Sequence, residues 1–250
     1  MSISPQEIKR EFIKSKMGIA GITILSILVL TSIIAIIAIP VETFQEWNNP
    51  GNWILNPKVA IPIWVNIFMT EKIPEHKILE NPNIEKISNE GIMLTSHQFG
   101  LNFEYDDFPN DFIYVFSSEY SGSPLLQMSV IRPDGVKLDL LSTSLPYSDI
   151  KTIHSERIFS TDDAIKKNLS LQSEKFEFTL DRLSAEDIVF SKMETNEPLK
   201  GNYIFSVDLY GVNSENEILE SKLIIGGKAF GIMGTDELRR DFMLMEDNYP

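Results

Sequence analysis

The longest feature in the hydrophobic pattern is an unbroken apolar run. Between Met17 and Ile39 there is no charged residue, and Pro40 closes the stretch. At about 1.5 Å of rise per residue, such a helix is roughly 34 Å long, enough to cross a hydrocarbon core of about 30 Å. Its four hydroxyl residues, Thr23, Ser26, Thr31 and Ser32, do not interrupt it, because a helical Ser or Thr can bond a carbonyl of its own helix. Apolar residues run all round with no polar stripe, as expected of a helix exposed to lipid or buried among other helices. Residues 17–39 are therefore predicted to be a transmembrane helix. A signal peptide is the competing reading, but its apolar core would be shorter, about 7–15 residues, and followed by small residues.

The flanks predict the orientation. Residues 1–16 carry Lys9, Arg10, Lys14 and Lys16 against Glu7 and Glu11, while the far side opens with Glu42 and Glu46. The positive-inside bias puts residues 1–16 in the cytoplasm and everything after Pro40 outside, in a single-pass cell-membrane protein. Within the lead, Ser4-Pro5-Gln6-Glu7 reads as a helix start, and Ile8, Phe12 and Ile13 form one apolar face. Such a helix lies on the inner leaflet or meets another subunit.

Beyond the span, residues 40–90 form a connector rich in Pro (Pro50, Pro57, Pro62, Pro74) and Trp (Trp47, Trp53, Trp64). Its apolar stretch Val59–Met69 is interrupted by Pro62 and too short to span a bilayer. It suits an interfacial aromatic belt, packing against the outer domain, or a docking face for further membrane helices.

From Gly91 to Gly226 the pattern shortens to strands. Candidates are Asp111–Ser118, Leu125–Ile131, Val136–Leu141, Lys175–Leu180, Gly201–Tyr210 and Ile218–Ile225. Arg132-Pro-Asp-Gly135 between two apolar runs is a hairpin signal. In Gly201–Tyr210 the alternation places Tyr203, Phe205, Val207 and Leu209 on one face. One helix is predicted from Thr161 as N-cap, with Asp162 and Asp163 in its first turn, to Leu169. Together these predict a single transmembrane helix followed by a mainly-β, antiparallel sandwich-like extracytoplasmic domain with one or two short helices.

Composition narrows the chemistry. The 250 residues hold 22 Lys+Arg, 36 Asp+Glu and no Cys. The acidic balance argues against nucleic-acid binding, which needs a basic face. Without Cys there is neither a disulfide framework nor a thiolate metal site. His76, His97 and His154 stand in no ligand spacing, and the pairs Asp106-Asp107, Asp162-Asp163 and Glu186-Asp187 lack the form of a calcium loop, so no metal and no cofactor is expected. Tyr120-Ser-Gly-Ser-Pro124 is not a nucleophile elbow, and no phosphate-cradling Gly loop is present. No catalytic residue emerges, and the chain is read as a non-enzyme. Asn168-Leu-Ser170 is a glycosylation sequon.

The segment Gly226–Asp241 reads as a Gly-punctuated turn, then a helix start at Thr235 and Asp236, with Arg239 and Arg240 on its first turns. Within it, Gly234-Thr-Asp-Glu-Leu-Arg-Arg-Asp241 resembles the Gly-Thr-Asp-Glu-Leu-Gly-Arg-Asp signature of the dipeptide/oligopeptide/nickel-type ABC transporter permeases. The subunit it resembles has a cytoplasmic N-terminal lead. The basic lead, Lys14-Ser-Lys-Met-Gly-Ile-Ala-Gly21, the Trp/Pro connector and the large outer insertion are similar to archaeal versions of that subunit. Arg239 departs from the pattern, standing where the family has Gly. The resemblance implies that Gly234, Thr235, Asp236, Glu237, Leu238, Arg240 and Asp241 form a structural junction, residues 227–250, leading into a permease bundle that this sequence lacks. It also implies membrane lipid, a permease core, a second permease subunit, ATPase subunits and an extracytoplasmic solute-binding protein as partners. The expected role is scaffolding or docking in peptide transport, with ATP hydrolysis left to the partners. The alternatives are an independent membrane-anchored β-sandwich binding or adhesion module, and a nonfunctional fragment of a split permease gene.

Overall fold

The structure is a computed structural model that describes residues 15–38, 47, 49–89, 91–180, 183–212 and 216–241. The chain divides into two units, Met1–Asn52 and Trp53–Pro250. The expected lead helix at Ser4–Ile13 and the end of the junction, 242–250, lie outside the described residues.

In the first unit the apolar run forms one helix, Lys16–Ala38. Ser15 starts it: its Oγ accepts from Gly18 N (3.3 Å) and its carbonyl from Ile19 N (3.0 Å). Thr23, Thr31 and Ser32 donate back to the carbonyls of Ile19 and Leu28 at 2.8–2.9 Å, so their hydroxyls cost the helix no unmet polar group. Among the described residues this is the one helix long and apolar enough to cross a membrane. Its length and composition suit a membrane anchor or a signal sequence.

The second unit is built on two antiparallel sheets. One has the order β2-β3-β8-β5-β6, from Asn83–Asn89, Ile92–Phe103, Gly201–Gly211, Leu125–Ile131 and Lys137–Ser144. The other has the order β1-β9-β4-β7, from Lys77–Leu79, Glu217–Gly226, Asp111–Gly122 and Ser148–Phe159. Alternation decides the inward faces. Tyr203, Phe205, Val207 and Leu209 of β8 are buried as the pattern predicts, beside Phe99, Leu101 and Phe103 of β3. Phe112, Tyr114 and Phe116 of β4 face them from the other sheet. Rings meet across the gap, Phe99 to Tyr114 at 6.2 Å and Phe112 to Phe205 at 5.9 Å. The layout is a helix followed by a β-sandwich, as the sequence predicts.

Arg132-Pro-Asp-Gly135 makes the expected β5–β6 hairpin, with Gly135 at φ 81° and Arg132 N donating to Val136 O (3.0 Å). The Arg132 side chain does more. Fully buried, it donates from Nη1 to the carbonyls of Ile188 (3.1 Å) and Val189 (3.3 Å), and from Nη2 to that of Ser191. Those carbonyls belong to the C-terminal turn of a helix, Ala185–Phe190. Asp134 balances the guanidinium at 2.8 Å. The helix starts in a capping box: Ser184 Oγ accepts from Asp187 N, and the Asp187 carboxylate accepts from Ser184 N. It carries Phe190 onto Phe103 and Tyr203, both at 4.8 Å.

The chain departs from its local pattern in several places. Lys175–Leu180 is not a strand; Phe176 and Leu180 are buried as the alternation suggests, but no ladder forms alongside among the described residues, and the segment is held by local turn bonds from Lys175 N to Gln172 O and Phe176 N to Ser173 O (both 3.0 Å) and by Glu177 N to Met193 O (2.9 Å). The predicted helix runs Asp163–Ser170, with Asp162 rather than Thr161 at the N-cap position. The Asp162 carboxylate accepts instead from Phe159 N (2.9 Å). Two strands, β1 and β2, fall inside the 40–90 connector. The Asn168 amide is half-buried and donates to Leu140 O (3.2 Å), so the sequon residue is already engaged.

Candidate functional site

The Gly226–Asp241 motif continues β9 and folds onto the first part of the connector. Ile61 N donates to Lys228 O (2.8 Å), Phe230 N to Ile61 O (2.9 Å) and Ile63 N to Gly231 O (3.0 Å). The chain then turns, and Thr235 N donates to Ala60 O (2.9 Å) while Val59 N donates to Asp236 O (3.1 Å). Lys228 N and Ala229 N both donate to Pro74 O, and Ala229 O accepts from His76 N (2.9 Å). Connector and motif thus form a clasp beneath the sandwich.

Each motif residue has a definable place in it. Gly234, at φ 77°, lies so close to Ala60 that an added Cβ would overlap the Ala60 carbonyl oxygen. Thr235 is buried, its Oγ1 accepting from Ala60 N (2.9 Å) and donating to Pro57 O (2.7 Å). Burial pushes the Asp236 carboxyl up, but the Arg240 guanidinium and the Arg240 and Leu238 N–H groups outweigh it and hold the group below its ordinary value. Glu237 and Leu238 form the exposed tip of this turn, and Asp241 bridges back to Thr235. The predicted helix start does not form: the Thr235 hydroxyl, which would cap it, is spent on the connector, and Arg239 at φ 67° is incompatible with helical continuation.

Arg239 is the residue that sequence reasoning undervalued. From its left-handed position it donates to Ile54 O (3.3 Å) and Asn56 O (2.6 Å) and pairs with Asp111 (3.1 Å), while Asn56 Nδ2 donates to Arg239 O (3.2 Å). It therefore ties residues 54–56 to the start of β4.

His76 lies in the same clasp, its ring edge-on to Phe230 at 5.0 Å, with neither ring nitrogen meeting a hydrogen-bond partner. Burial first, and the Arg239 charge second, lower its pKa from 6.5 to about 4. The unfolded chain then binds the proton first as the medium acidifies. The neutral ring's contribution is complete above pH 6.5 and is lost as pH falls to about 4, a change of roughly 3 kcal/mol. Urea unfolding of the full chain at pH 7 and pH 4.5 checks this, and His76→Leu is expected to remove most of the pH dependence. His97 contributes in the same direction, its pKa also lowered by burial; its Nδ1 sits 2.6 Å from Ser221 Oγ inside the sandwich.

The remaining candidates stay apart. His154 is on β7 beside Glu156, and no group of three metal-ligating side chains occurs among the described residues. Asp106 binds Lys72 N and Lys200, and Asp107 binds Lys228, so this acidic pair is consumed by cations of the domain itself. A shallow groove of about 460 Å³ crosses the outer face of the five-stranded sheet, lined among others by Gln127, Asp139, Ser142, Asp208 and Gln172.

No protein-family model matches the chain, and no curated protein matches it. Among solved structures, the chain is similar to the enzymatically active domain of bacteriophage CBA120 tailspike protein 4, at 8% identity and a TM-score of 0.25, with 63% of this chain and 19% of that one covered. A CBM4 structure gives 8% identity and a TM-score of 0.19, covering 57% of this chain and 94% of the other. The infectious bursal disease virus Gx strain structure gives 7% and 0.23, covering 62% and 33%. The chain thus spans about a fifth of the tailspike chain and a third of the viral one.

Proposed function

We propose that this chain is the membrane-anchored, extracytoplasmic N-terminal portion of a peptide-type ABC importer permease, with its N-terminus cytoplasmic and a scaffolding or docking role in transport. The observation that carries this reading is the clasp. Residues 54–60, which lead into the sandwich, lie hydrogen-bonded beside residues 235–240, which lead out of it. A domain inserted between two membrane helices needs its two ends together in this way. Arg239 adds support, since the position at which the resembled signature has Gly adopts φ 67°, the backbone region that Gly favours. The permeation path and ATP hydrolysis would belong to partner subunits.

The chain has no Cys, so one introduced thiol is a unique probe. Leu238→Cys, on the exposed tip, is expected to react with an impermeant maleimide in intact cells, and Ser15→Cys only after permeabilisation. The same Leu238→Cys chain, crosslinked in native membranes, is expected to capture a permease subunit. A lone monomer on blue-native gels, with permease and ATPases present, would overturn the transporter reading. A second reading, an independent anchored binding module, draws on the groove at Gln127 and Asp208. Saturable binding of a solute that Asp208→Asn abolishes would favour it.

A further inference from the structure

The clasp carries an unusual surface. Its two segments are joined backbone to backbone, yet its side chains project large apolar groups into the surroundings. Phe68 is 80% exposed and Ile67 74%, Met233 56% and Trp64 49%. They form one patch: Trp64 Nε1 donates to Ile232 O (2.9 Å), joining connector to motif, and Trp64 stands edge-on to Phe68 at 6.4 Å. Contiguous exposed apolar surface of this kind marks an interaction site rather than ordinary surface scatter.

We infer that this patch rests in the headgroup region of a lipid bilayer. The inference builds on the reading of Lys16–Ala38 as a membrane anchor. Given that anchor, lipid is the one partner always within reach, because about 20 residues of chain separate Ala38 from Val59 and the effective concentration of bilayer is high. The patch chemistry matches the boundary, where an indole keeps its apolar body in the acyl region and its N–H on a polar partner. Charge agrees too. Residues 54–77 and 226–241 together carry six Lys/Arg against five Asp/Glu, in a chain whose overall balance is 22 against 36. This pole escapes the acidic repulsion that would hold the rest of the domain off anionic headgroups.

The test uses the full chain in vesicles of phosphatidylcholine and phosphatidylglycerol, with Trp47→Phe and Trp53→Phe leaving Trp64 as the sole indole. Lipids brominated near the headgroup end of the acyl chains are expected to quench its emission roughly twofold, as an indole at the interface would show. Adding Ile67→Asp and Phe68→Asp, both at exposed positions and so tolerated by the fold, is expected to abolish the quenching with circular dichroism unchanged. Unquenched emission from a chain that resists alkaline carbonate extraction overturns the inference and leaves the anchor standing. Extraction by carbonate overturns both. A blue shift that follows the protein-to-lipid ratio without bromine quenching assigns the patch to a second copy of the chain and overturns the lipid reading.

Discussion

Replacing Arg132 by Met is expected to lower the unfolding free energy of the outer domain by about 3–5 kcal/mol, because several buried carbonyls lose their donor at about 1–3 kcal/mol each. The methionine fills much of the same volume, so the loss is polar. The carbonyls of Ile188, Val189 and Ser191 would keep no guanidinium donor, and Asp134 would lose its cation. Helix C-termini leave carbonyls unmet, and a single buried Arg meets three of them here. The damage then spreads through Phe190, which packs on Phe103, Tyr203 and Phe205. Arg132→Lys should recover only part of the loss, since one ammonium cannot reproduce the planar fork. Urea midpoints of the full chain in detergent, compared for both variants, check the size and the order.

Gly234→Ala is expected to cost about 2–4 kcal/mol, placing it among the largest single-site effects through combined strain and overpacking. The residue holds φ 77°, and the new methyl would meet the Ala60 carbonyl oxygen, which is backbone and cannot turn aside. Gly231 is the control. It also has positive φ, at 59°, but its nearest neighbours are the Asp241 carboxylate atoms at 3.2–3.6 Å, side-chain atoms that need give by only a few tenths of an ångström. Gly231→Ala should therefore cost only about 1 kcal/mol, the usual backbone term for Ala at such a position. Hydrogen exchange resolves where the effect falls. In Gly234→Ala, protection should drop at the Ile61, Phe230 and Thr235 amides while β8 keeps its own. If β8 opens equally, clasp and sandwich form one cooperative unit and the clasp is not a separable element.

The core of the sandwich was legible because it depends on local alternation. Tyr203 to Leu209 and the Pro-Asp-Gly hairpin carry their structure in a few adjacent residues. Lys175–Leu180 shows the limit of the same logic: alternation predicts which side chains are buried, but a strand also needs a neighbouring strand to bond, and none runs beside it among the described residues. β7 escaped notice because it is an edge strand with both faces largely wet, so its pattern of exposure has no period to find. The clasp was less legible still. The bond from Ala60 N to the Thr235 hydroxyl joins residues 175 positions apart, and nothing local distinguishes that hydroxyl from a helix cap. Arg132 was hidden for a related reason. Next to Pro-Asp-Gly it looks like turn polarity, and only the folded chain shows three carbonyls waiting for it.

One consequence of the Ala60–Thr235 contact concerns what the sandwich can become. Its entry and exit are pinned at hydrogen-bond distance by their own backbone, so everything between them behaves as a cassette. Strands that take no part in that contact can vary between its ends while the polypeptide on either side keeps its place, whereas β4 and β9, which carry Asp111 and run into the motif, are bound to it.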